Sequence, residues 1–213
     1  QADPLRTDAM TPPPKDILPA PATHRASSLG IHPKWTTPLP GRDELLAEWG
    51  LPADKQIVLL FSGRRLTCGP VLPIARQLVA RCPRCIVVVL ARRNKQLLSK
   101  LATLEESAQG RIVPMGFTDR LPELASVATL MITRPGGQTI DECIVKSLPM
   151  LFLKPASGKD RNTVNPVLAA GAGLAATSTS NLIDLAAALL ADADRLAAMR
   201  RACKTLSHTE AQL

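Results

Sequence analysis

Two glycines and a glutamate within TRPGGQTIDECIVKSLPMLFLKP, residues 133–155, have the spacing of a phosphate and sugar site. Gly136 and Gly137 follow an apolar run and precede a predicted helix, so a ligand can approach a backbone that carries no Cβ. The free N–H groups of that helix would face the ligand, which suits a diphosphate. Thr139 adds a hydroxyl or caps the helix. Glu142, about one turn further on, can accept two hydrogen bonds from the cis diol of a ribose. The stretch therefore predicts a nucleoside diphosphate site.

The elements that must position these residues alternate along the chain between short apolar runs and amphipathic runs. The predicted strands are 56–61, 86–91, 111–115, 130–133, 150–153 and 174–176, and the predicted helices are 42–49, 71–81, 94–104, 121–126, 138–146, 163–170 and two within 181–207. Strict alternation with continuous apolar strands predicts an α/β fold, a Rossmann-like doubly wound parallel sheet of about six strands with helices on both faces. Ligands of such sheets bind outside the carboxyl ends of the strands, so the loops that follow the strands are the candidate sites.

The first three of these loops each leave two interpretations open. After the first strand, Gly63 and Arg64 favour a phosphate through backbone amides and a helix dipole, although neither a dinucleotide nor a P-loop spacing is present. The alternative is a tight turn with solvated arginines. Residues 92–95, Arg-Arg-Asn-Lys, are either an anion contact or a charged helix start. Phe117, after the third strand, either packs on a base or belongs to the core.

A polar run follows the fifth strand, at residues 154–165, where a loop is expected before the next helix. Lys159 supplies a cation there, and Asp160 and Asn162 supply partners for the hydroxyls of a sugar. The alternative is an ordinary charged loop.

The composition narrows the class of partner. The chain has 213 residues and a formal net charge of +8, which favours anionic partners. The basic residues are spread along the chain, and three Phe, two Trp and no Tyr are too few for a base-stacking platform, so nucleic acid is not expected. No apolar run approaches the ~20 residues of a membrane-spanning helix. No secretory signal precedes the first predicted element, so a cytoplasmic location is expected.

Proline density predicts the domain boundaries, and cysteine spacing indicates whether a metal site is present. Residues 1–28 are predicted to be a proline-rich tail or linker, 29–207 the Rossmann-like domain that carries the predicted nucleoside diphosphate and sugar contacts, and 208–213 a short C-terminal tail. Cys82 and Cys85 have a CxxC spacing, but no second pair exists to complete a zinc site, so no metal is expected. The pair is predicted to close a helix before a strand as free thiols, as in a reducing compartment.

Several segments, in chain order, resemble the carboxyl-terminal, donor-binding domain of family 28 glycosyltransferases of the GT-B fold. That group includes monogalactosyldiacylglycerol synthases, processive diacylglycerol glucosyltransferases and the N-acetylglucosaminyltransferase that forms lipid II. The matching segments, between residues 30 and 173, are GIHPKW, IVLLFSG…CGPVLPIARQL, VVVLARRNKQLLSKL with the group's "GRN" motif, IVPMGFTDRLPEL, ITRPGGQTIDECIVKSLPMLFLKP and GKDRNTVNPVLAAGAG.

The resemblance implies one half of a GT-B fold that binds a UDP-sugar without a metal or cofactor, for transfer of a hexose with inversion. It implies that Glu142 holds the ribose hydroxyls and that Phe117 lies near the uracil. The donor-binding residues that it implies are Gly63, Arg64, Phe117, Arg134, Gly136, Gly137, Gln138, Thr139, Glu142, Lys159, Asp160 and Asn162.

The resemblance also implies partners beyond this domain. The acceptor would be a lipid or lipid-linked sugar at the inner face of a membrane, with peripheral association of the enzyme. The base that activates it would belong to an N-terminal acceptor domain, which residues 1–28 cannot form. The chain departs from the group in a bulkier first glycine loop, in Lys159-Asp160 where the group has Gln-Glu, and in Thr163 where Asn is usual, with Asn162 and Asn165 as alternatives.

Two other functions remain open from the sequence. One is a non-catalytic nucleotide-sugar-binding or regulatory module of the same fold, which the altered glycine loop would suit. The other is a UDP-sugar epimerase, which shares the architecture. The positions of His24, His32 and His208, outside the strand-end loops, count against an epimerase because it needs acid and base side chains in its cleft.

Overall fold

Alternating strands and helices account for most of residues 31–61, 71–155 and 157–210, which the computed structural model describes. The strands are β1 Gln56–Phe61, β2 Cys85–Arg92, β3 Ile112–Gly116, β4 Leu130–Thr133, β5 Met150–Phe152 and β6 Gly173–Ala175. The helices are α1 Arg42–Glu48, α2 Val71–Arg81, α3 Lys95–Ser107, α4 Leu121–Val127, α5 Gly137–Val145, α6 Gly158–Ala169, α7 Thr179–Ala191 and α8 Ala193–Glu210, and a short 3-10 helix, Pro33–Trp35, precedes α1.

The six strands form one parallel sheet in the order β3-β2-β1-β4-β5-β6. The chain builds outward from β1 to β3 and then returns to the other side of β1 with β4. Connections that leave β1 and β4 in opposite directions open a crevice at the carboxyl ends of these strands, which is where doubly wound sheets bind ligands. The predicted fold is confirmed, and it places the described loops that follow β2 to β5 at the carboxyl ends of the strands.

Both faces of the sheet are covered, as the continuous apolar strands require. Side chains of β1 alternate between two cores: Val58 and Leu60 pack with α2, α3 and α7, and Ile57 and Leu59 pack with α1, α4, α5 and α6. Helix α8 crosses from one core to the other, so that its Met199 joins the first and its Cys203 the second. Because helices cover both faces of the sheet, a ligand can reach the sheet at the ends of its strands.

The polar run after β5 differs from its predicted structure. Helix α6 begins at Gly158, not at residue 163, so Lys159, Asp160 and Asn162 lie in its first turns and not in a loop. The reason is the cap: the hydroxyl of Ser157 accepts the N–H of Asp160 at 3.1 Å. Ser157 followed three residues later by an acid is itself a helix-start signal, and it was overlooked in the sequence.

The CxxC pair closes α2 and opens β2, as predicted. Cys82 and Cys85 are both buried. Burial raises the pKa of Cys82, and burial together with the neighbouring Cys82 raises the pKa of Cys85 to about 12. Thiols held protonated in this way are poor nucleophiles and poor metal ligands, so the pair contributes to packing.

Candidate functional site

A cleft of about 250 Å³ opens at the carboxyl ends of β1 to β4. The last residues of β1, β2 and β3, the first turns of α5 and the 3-10 helix all border it. Its described lining is Lys34, Trp35, Phe61, Leu90, Arg92, Gly116, Phe117, Thr118, Leu121, Met131, Gln138, Thr139, Glu142 and Cys143. The cleft therefore combines an apolar floor with two cations, one carboxylate and several hydrogen-bonding groups.

The 3-10 helix forms one wall of the cleft and is fixed at both ends of its turn. His32 Nδ1 accepts the N–H of Lys34 at 3.2 Å, and Trp35 is buried in the core below. The ammonium of Lys34 donates to the carbonyl of Asp119 at 3.3 Å, which joins this wall to the loop after β3. Lys34 is thereby held beside the cleft by its backbone and by its side chain.

The loop after β3 is braced from behind by Arg120. Its N–H donates to the hydroxyl of Thr118 at 3.0 Å. Its guanidinium pairs with Glu48 and Glu123, each at 2.5 Å, and lies 4.9 Å from the ring centroid of Trp49. The loop that lines the cleft is therefore tied to α1 and α4.

Phe117, in the same loop, is 58% exposed and is the one large hydrophobic side chain that stands exposed among the described residues. The guanidinium of Arg93 lies 4.9 Å from its ring centroid. Because a large apolar ring in water costs free energy, its exposure at the mouth of a cleft is informative, and a flat partner would bury it.

The glycine pair leaves the N-terminus of α5 bare. Gly136 is the N-cap residue in an extended conformation, φ −164° and ψ 119°, that any residue can adopt. A Cβ at Gly137 would meet no described atom within 4 Å. Neither glycine is required by the backbone conformation or by the surrounding described residues. The space and the helix N–H groups suit an anion that needs close approach.

Arg134 directly follows β4 and comes two residues before Gly136. Its Nε is buried and has no hydrogen-bond partner among the residues that the structure describes. A buried donor without an acceptor is costly, so an anionic group at the start of α5 would satisfy it.

Glu142 lies half-buried in the cleft, one turn after Gln138 on α5. The pKa of Glu142 is raised to about 7, chiefly by burial and in smaller part by the charge of the neighbouring Asp141. The hydrogen bond from Gln138 Nε2 to Oε1, at 3.3 Å, and the charges of Lys34 and Arg92 oppose this rise. A carboxyl group with a strongly shifted pKa inside a cleft is a candidate functional group.

The structure brings together four of the residues predicted for the site: Phe117, Gln138, Thr139 and Glu142 line the cleft. Arg134, Gly136 and Gly137 lie just before this lining on the chain. Lys159, Asp160 and Asn162 lie on α6 and are not part of the lining. Gly63 and Arg64 lie outside the described residues.

Sequence reasoning did not assign Lys34 or Arg92 to the site, although both line the cleft. Lys34 lies far from the other cleft residues in sequence, and only its segment GIHPKW was recognised. Arg92 belonged to a run for which an anion contact and a charged helix start were both open. The structure decides in favour of a position in the cleft.

Two other site classes find no support in the described part of the chain. No group of three His, Cys, Asp or Glu side chains there could hold a metal ion. Among those same residues, no helix combines the length and apolar character needed to cross a membrane. The arrangement in the cleft is suited to binding an organic anion that carries hydroxyl groups and a flat ring.

Comparison with known proteins gives relatives of one kind. No protein-family model matches the chain. It is 28% identical to the processive diacylglycerol beta-glucosyltransferase of Bacillus licheniformis over 165 residues, which are 78% of this chain and 43% of that protein. It is 25% identical to the Bacillus subtilis protein of the same name over 186 residues, 87% of this chain and 48% of that protein. The chain thus spans less than half the length of these relatives.

Solved structures show the same architecture. WaaG, a glycosyltransferase involved in lipopolysaccharide biosynthesis, superposes with a TM-score of 0.67 at 17% identity, covering 84% of this chain and 50% of WaaG. Anabaena HepE in complex with UDP gives 0.65 at 15% identity, covering 86% and 54%. At these identities the likeness shows the fold alone, one Rossmann-like half of the GT-B fold. The resemblance to family 28 glycosyltransferases is confirmed by the Bacillus relatives.

Proposed function

We propose that this chain is the donor-binding part of a glycosyltransferase and that its cleft binds a UDP-sugar. The observation that carries the proposal is the geometry of α5: a bare glycine N-terminus and, within the first two turns, the half-buried carboxylate of Glu142 in the cleft. A diphosphate and a ribose are adjacent in a nucleotide, and the N-terminus and the carboxylate of α5 offer the groups that each of them needs.

Each part of the UDP-sugar has a binding partner among the residues of the cleft. The diphosphate would accept from the N–H groups at Gly136 and Gly137, with Thr139 and the buried Nε of Arg134 as further donors. The ribose hydroxyls would donate to Glu142. The base would lie against Phe117, burying a ring that is 58% exposed in the free protein.

The sugar subsite is proposed on the resemblance. Lys159, Asp160 and Asn162 occupy the first turns of α6, and Ser157 orders this segment through its cap. A sugar that extends from the diphosphate toward α6 would find hydroxyl partners there. Gly63 and Arg64 are proposed, from the sequence alone, as further residues that contact the UDP-sugar.

For the whole enzyme we propose transfer of a hexose to a lipid or lipid-linked acceptor, by direct displacement at the anomeric carbon with inversion and without a metal. Negative charge would develop on the departing UDP, and the N–H groups of α5 together with the cations of the cleft would stabilise it. The relatives are named for diacylglycerol, so an acceptor at a membrane surface and peripheral association with that surface form part of the proposal.

Binding to the 213-residue chain tests the proposal. UDP and UDP-sugars at about 100 times Kd should raise the melting temperature by about 5–10 °C, and ADP should raise it less. Glu142→Ala should abolish most of the shift, and Glu44→Ala, a change at an exposed site on α1, should preserve it. The proposal fails if no uridine nucleotide stabilises the native chain.

A product assay on the whole protein separates transfer from epimerisation. With UDP-glucose or UDP-N-acetylglucosamine and diacylglycerol vesicles, we expect a glycolipid of inverted configuration and UDP. If the protein instead formed an epimerised nucleotide sugar without an acceptor, it would be an epimerase and the proposed transfer would be wrong.

A further inference from the structure

Arg92 has an unusual backbone at the edge of the cleft. Its φ is +53°, in the left-handed region, where a residue other than glycine is disfavoured. The pairing of β2 with β3 is irregular between Leu90 and Arg92, and Arg92 is opposite Gly116. Bulges of this kind redirect a side chain next to a binding site. A glycine would adopt this conformation more easily, so an arginine here calls for a role of its side chain.

The side chain of Arg92 is available to a ligand. It lines the cleft and is half-buried. Its guanidinium makes no hydrogen bond or ion pair with any residue of 31–61, 71–155 or 157–210, although its charge acts on Glu142 in the cleft. Its neighbour Arg93 lies instead over the ring of Phe117. Two consecutive arginines therefore divide their roles: one holds the exposed ring, and the other adds N–H donors to the cleft.

Strand order places Arg92 on the base side of the cleft. Arg92 ends β2 and is paired with Gly116, which immediately precedes Phe117 at the end of β3. The glycine pair begins α5, after β4, and β1 lies between β2 and β4. With about 4.8 Å between neighbouring strands, Arg92 is roughly 10 Å from the line of β4, where the diphosphate would bind. It therefore lies nearer to the proposed place of the base than to that of the phosphates, and its charge also reaches Glu142, the proposed ribose ligand.

We propose that Arg92 is a specificity-determining residue that selects a pyrimidine base with a carbonyl oxygen at C4, uracil or thymine, over cytosine. The inference rests on the proposed function. A guanidinium offers N–H donors and no acceptor. The O4 of uracil or thymine accepts from it, whereas the amino group of cytosine at the same position is itself a donor and would leave both groups without a partner.

Isothermal titration of the full chain with UDP, 5-methyl-UDP and CDP tests this selection, because all three carry the same ribose diol and differ only in the base. The native chain should bind UDP and 5-methyl-UDP roughly 10-fold to 100-fold more tightly than CDP. In Arg92→Gly and Arg92→Asn, the affinity for UDP should fall while that for CDP stays the same or rises, so that the ratio of the two approaches one. Both variants should melt no lower than the native chain, because glycine and asparagine accept a positive φ. Arg76→Asn, at an exposed site on α2, is the matched control and should leave both affinities unchanged.

The outcomes separate the inference from the proposal on which it rests. If the native chain binds UDP and Arg92→Gly keeps the native ratio of UDP to CDP affinity, the selection role is refuted and the donor site stands. An equal loss of UDP and CDP affinity would place Arg92 on the ribose or phosphates and would also refute it. If the native chain binds neither nucleotide, the donor site and the selection role fall together.

Discussion

Gln138 donates a hydrogen bond from Nε2 to Oε1 of Glu142, 3.3 Å away and one turn along α5. This bond orients the carboxyl group in the cleft, and the helix that supplies both residues begins with the bare glycines. One rigid helix therefore supplies both the carboxyl group and the glycine backbone that a ligand can approach closely. The arrangement makes Glu142 the residue whose removal is most informative.

Glu142→Ala should weaken the binding of UDP by about 1.5–3 kcal/mol, the usual loss for a charged hydrogen-bond partner. Isothermal titration measures the change directly. Glu44→Ala serves as the control, because Glu44 is exposed on α1 and does not line the cleft. Native affinity in Glu142→Ala would show that the ribose is held elsewhere.

The affinity for UDP-glucose should rise with pH through neutrality. Burial raises the pKa of Glu142 to about 7 in the free chain, and ribose hydroxyls that donate to the carboxylate favour the ionised form. The fraction ionised, and with it the affinity, should fall about tenfold from pH 8 to pH 6. UDP-glucose suits the test because its diphosphate lacks the ionisation of a terminal phosphate near pH 6. Glu142→Gln should bind weakly and without this pH dependence, and a native-like pH profile in that variant would assign the titration to another group.

The ionised carboxylate of Glu142 should lower the free energy of unfolding when no ligand is bound. The pKa of Glu142 is raised in the folded chain, so the stabilising contribution of the protonated form is complete below about pH 4.5 and is lost as the pH rises to about 7. Glu142→Gln should therefore exceed the native chain in unfolding free energy by about 1–2 kcal/mol at pH 8, a value reduced for solvent screening in the open cleft. At pH 4.5 the two should be nearly equal. Urea denaturation at both pH values measures this difference, and a native chain that is the more stable of the two at pH 8 would contradict it.

Gly137→Ala should separate ligand binding from folding. The added Cβ would meet no described atom within 4 Å, so the free energy of unfolding should stay the same or rise by up to about 1 kcal/mol. The methyl group would occupy the space proposed for the diphosphate, and UDP affinity should fall about tenfold or more. Gly41→Ala is a matched control at the N-cap of α1, with equally open surroundings. Unchanged UDP affinity in Gly137→Ala would rule out close contact at this glycine.

Gly173→Ala should have the opposite effect. Its Cβ would lie 3.0 Å from Phe152 Cε2 and 3.2 Å from both the carbonyl oxygen of Met150 and Val167 Cγ1. Crowding between β5, β6 and α6 should lower the unfolding free energy by about 1–3 kcal/mol. Thermal denaturation beside Gly137→Ala gives the comparison, and equal melting temperatures for the two variants would show that this core can adjust.

The order of elements, and the presence of Phe117 and of the first turns of α5 at the candidate cleft, could be predicted from the sequence because both depend on local patterns. Strand β1, helix α2 and strand β4 have their predicted bounds, since a continuous apolar run or a helical period sets them. Helix α6 was placed wrongly because a single serine side chain, through its cap, moved the start of the helix. A short local signal can thus outweigh a run of polar residues.

The sequence by itself determined the layers of this protein, the edge of the sheet that carries its loops, and the glycine pair with Glu142 on α5, because residues on one helix are related by its fixed period. Only the tertiary structure decided that Lys34 and Arg92 share a cleft with them, that Arg93 lies over Phe117, and that Glu142 titrates near neutrality. These properties depend on burial and on distances between segments far apart in the chain. Such distances are set by the packing of the whole sheet and not by the spacing of residues along it.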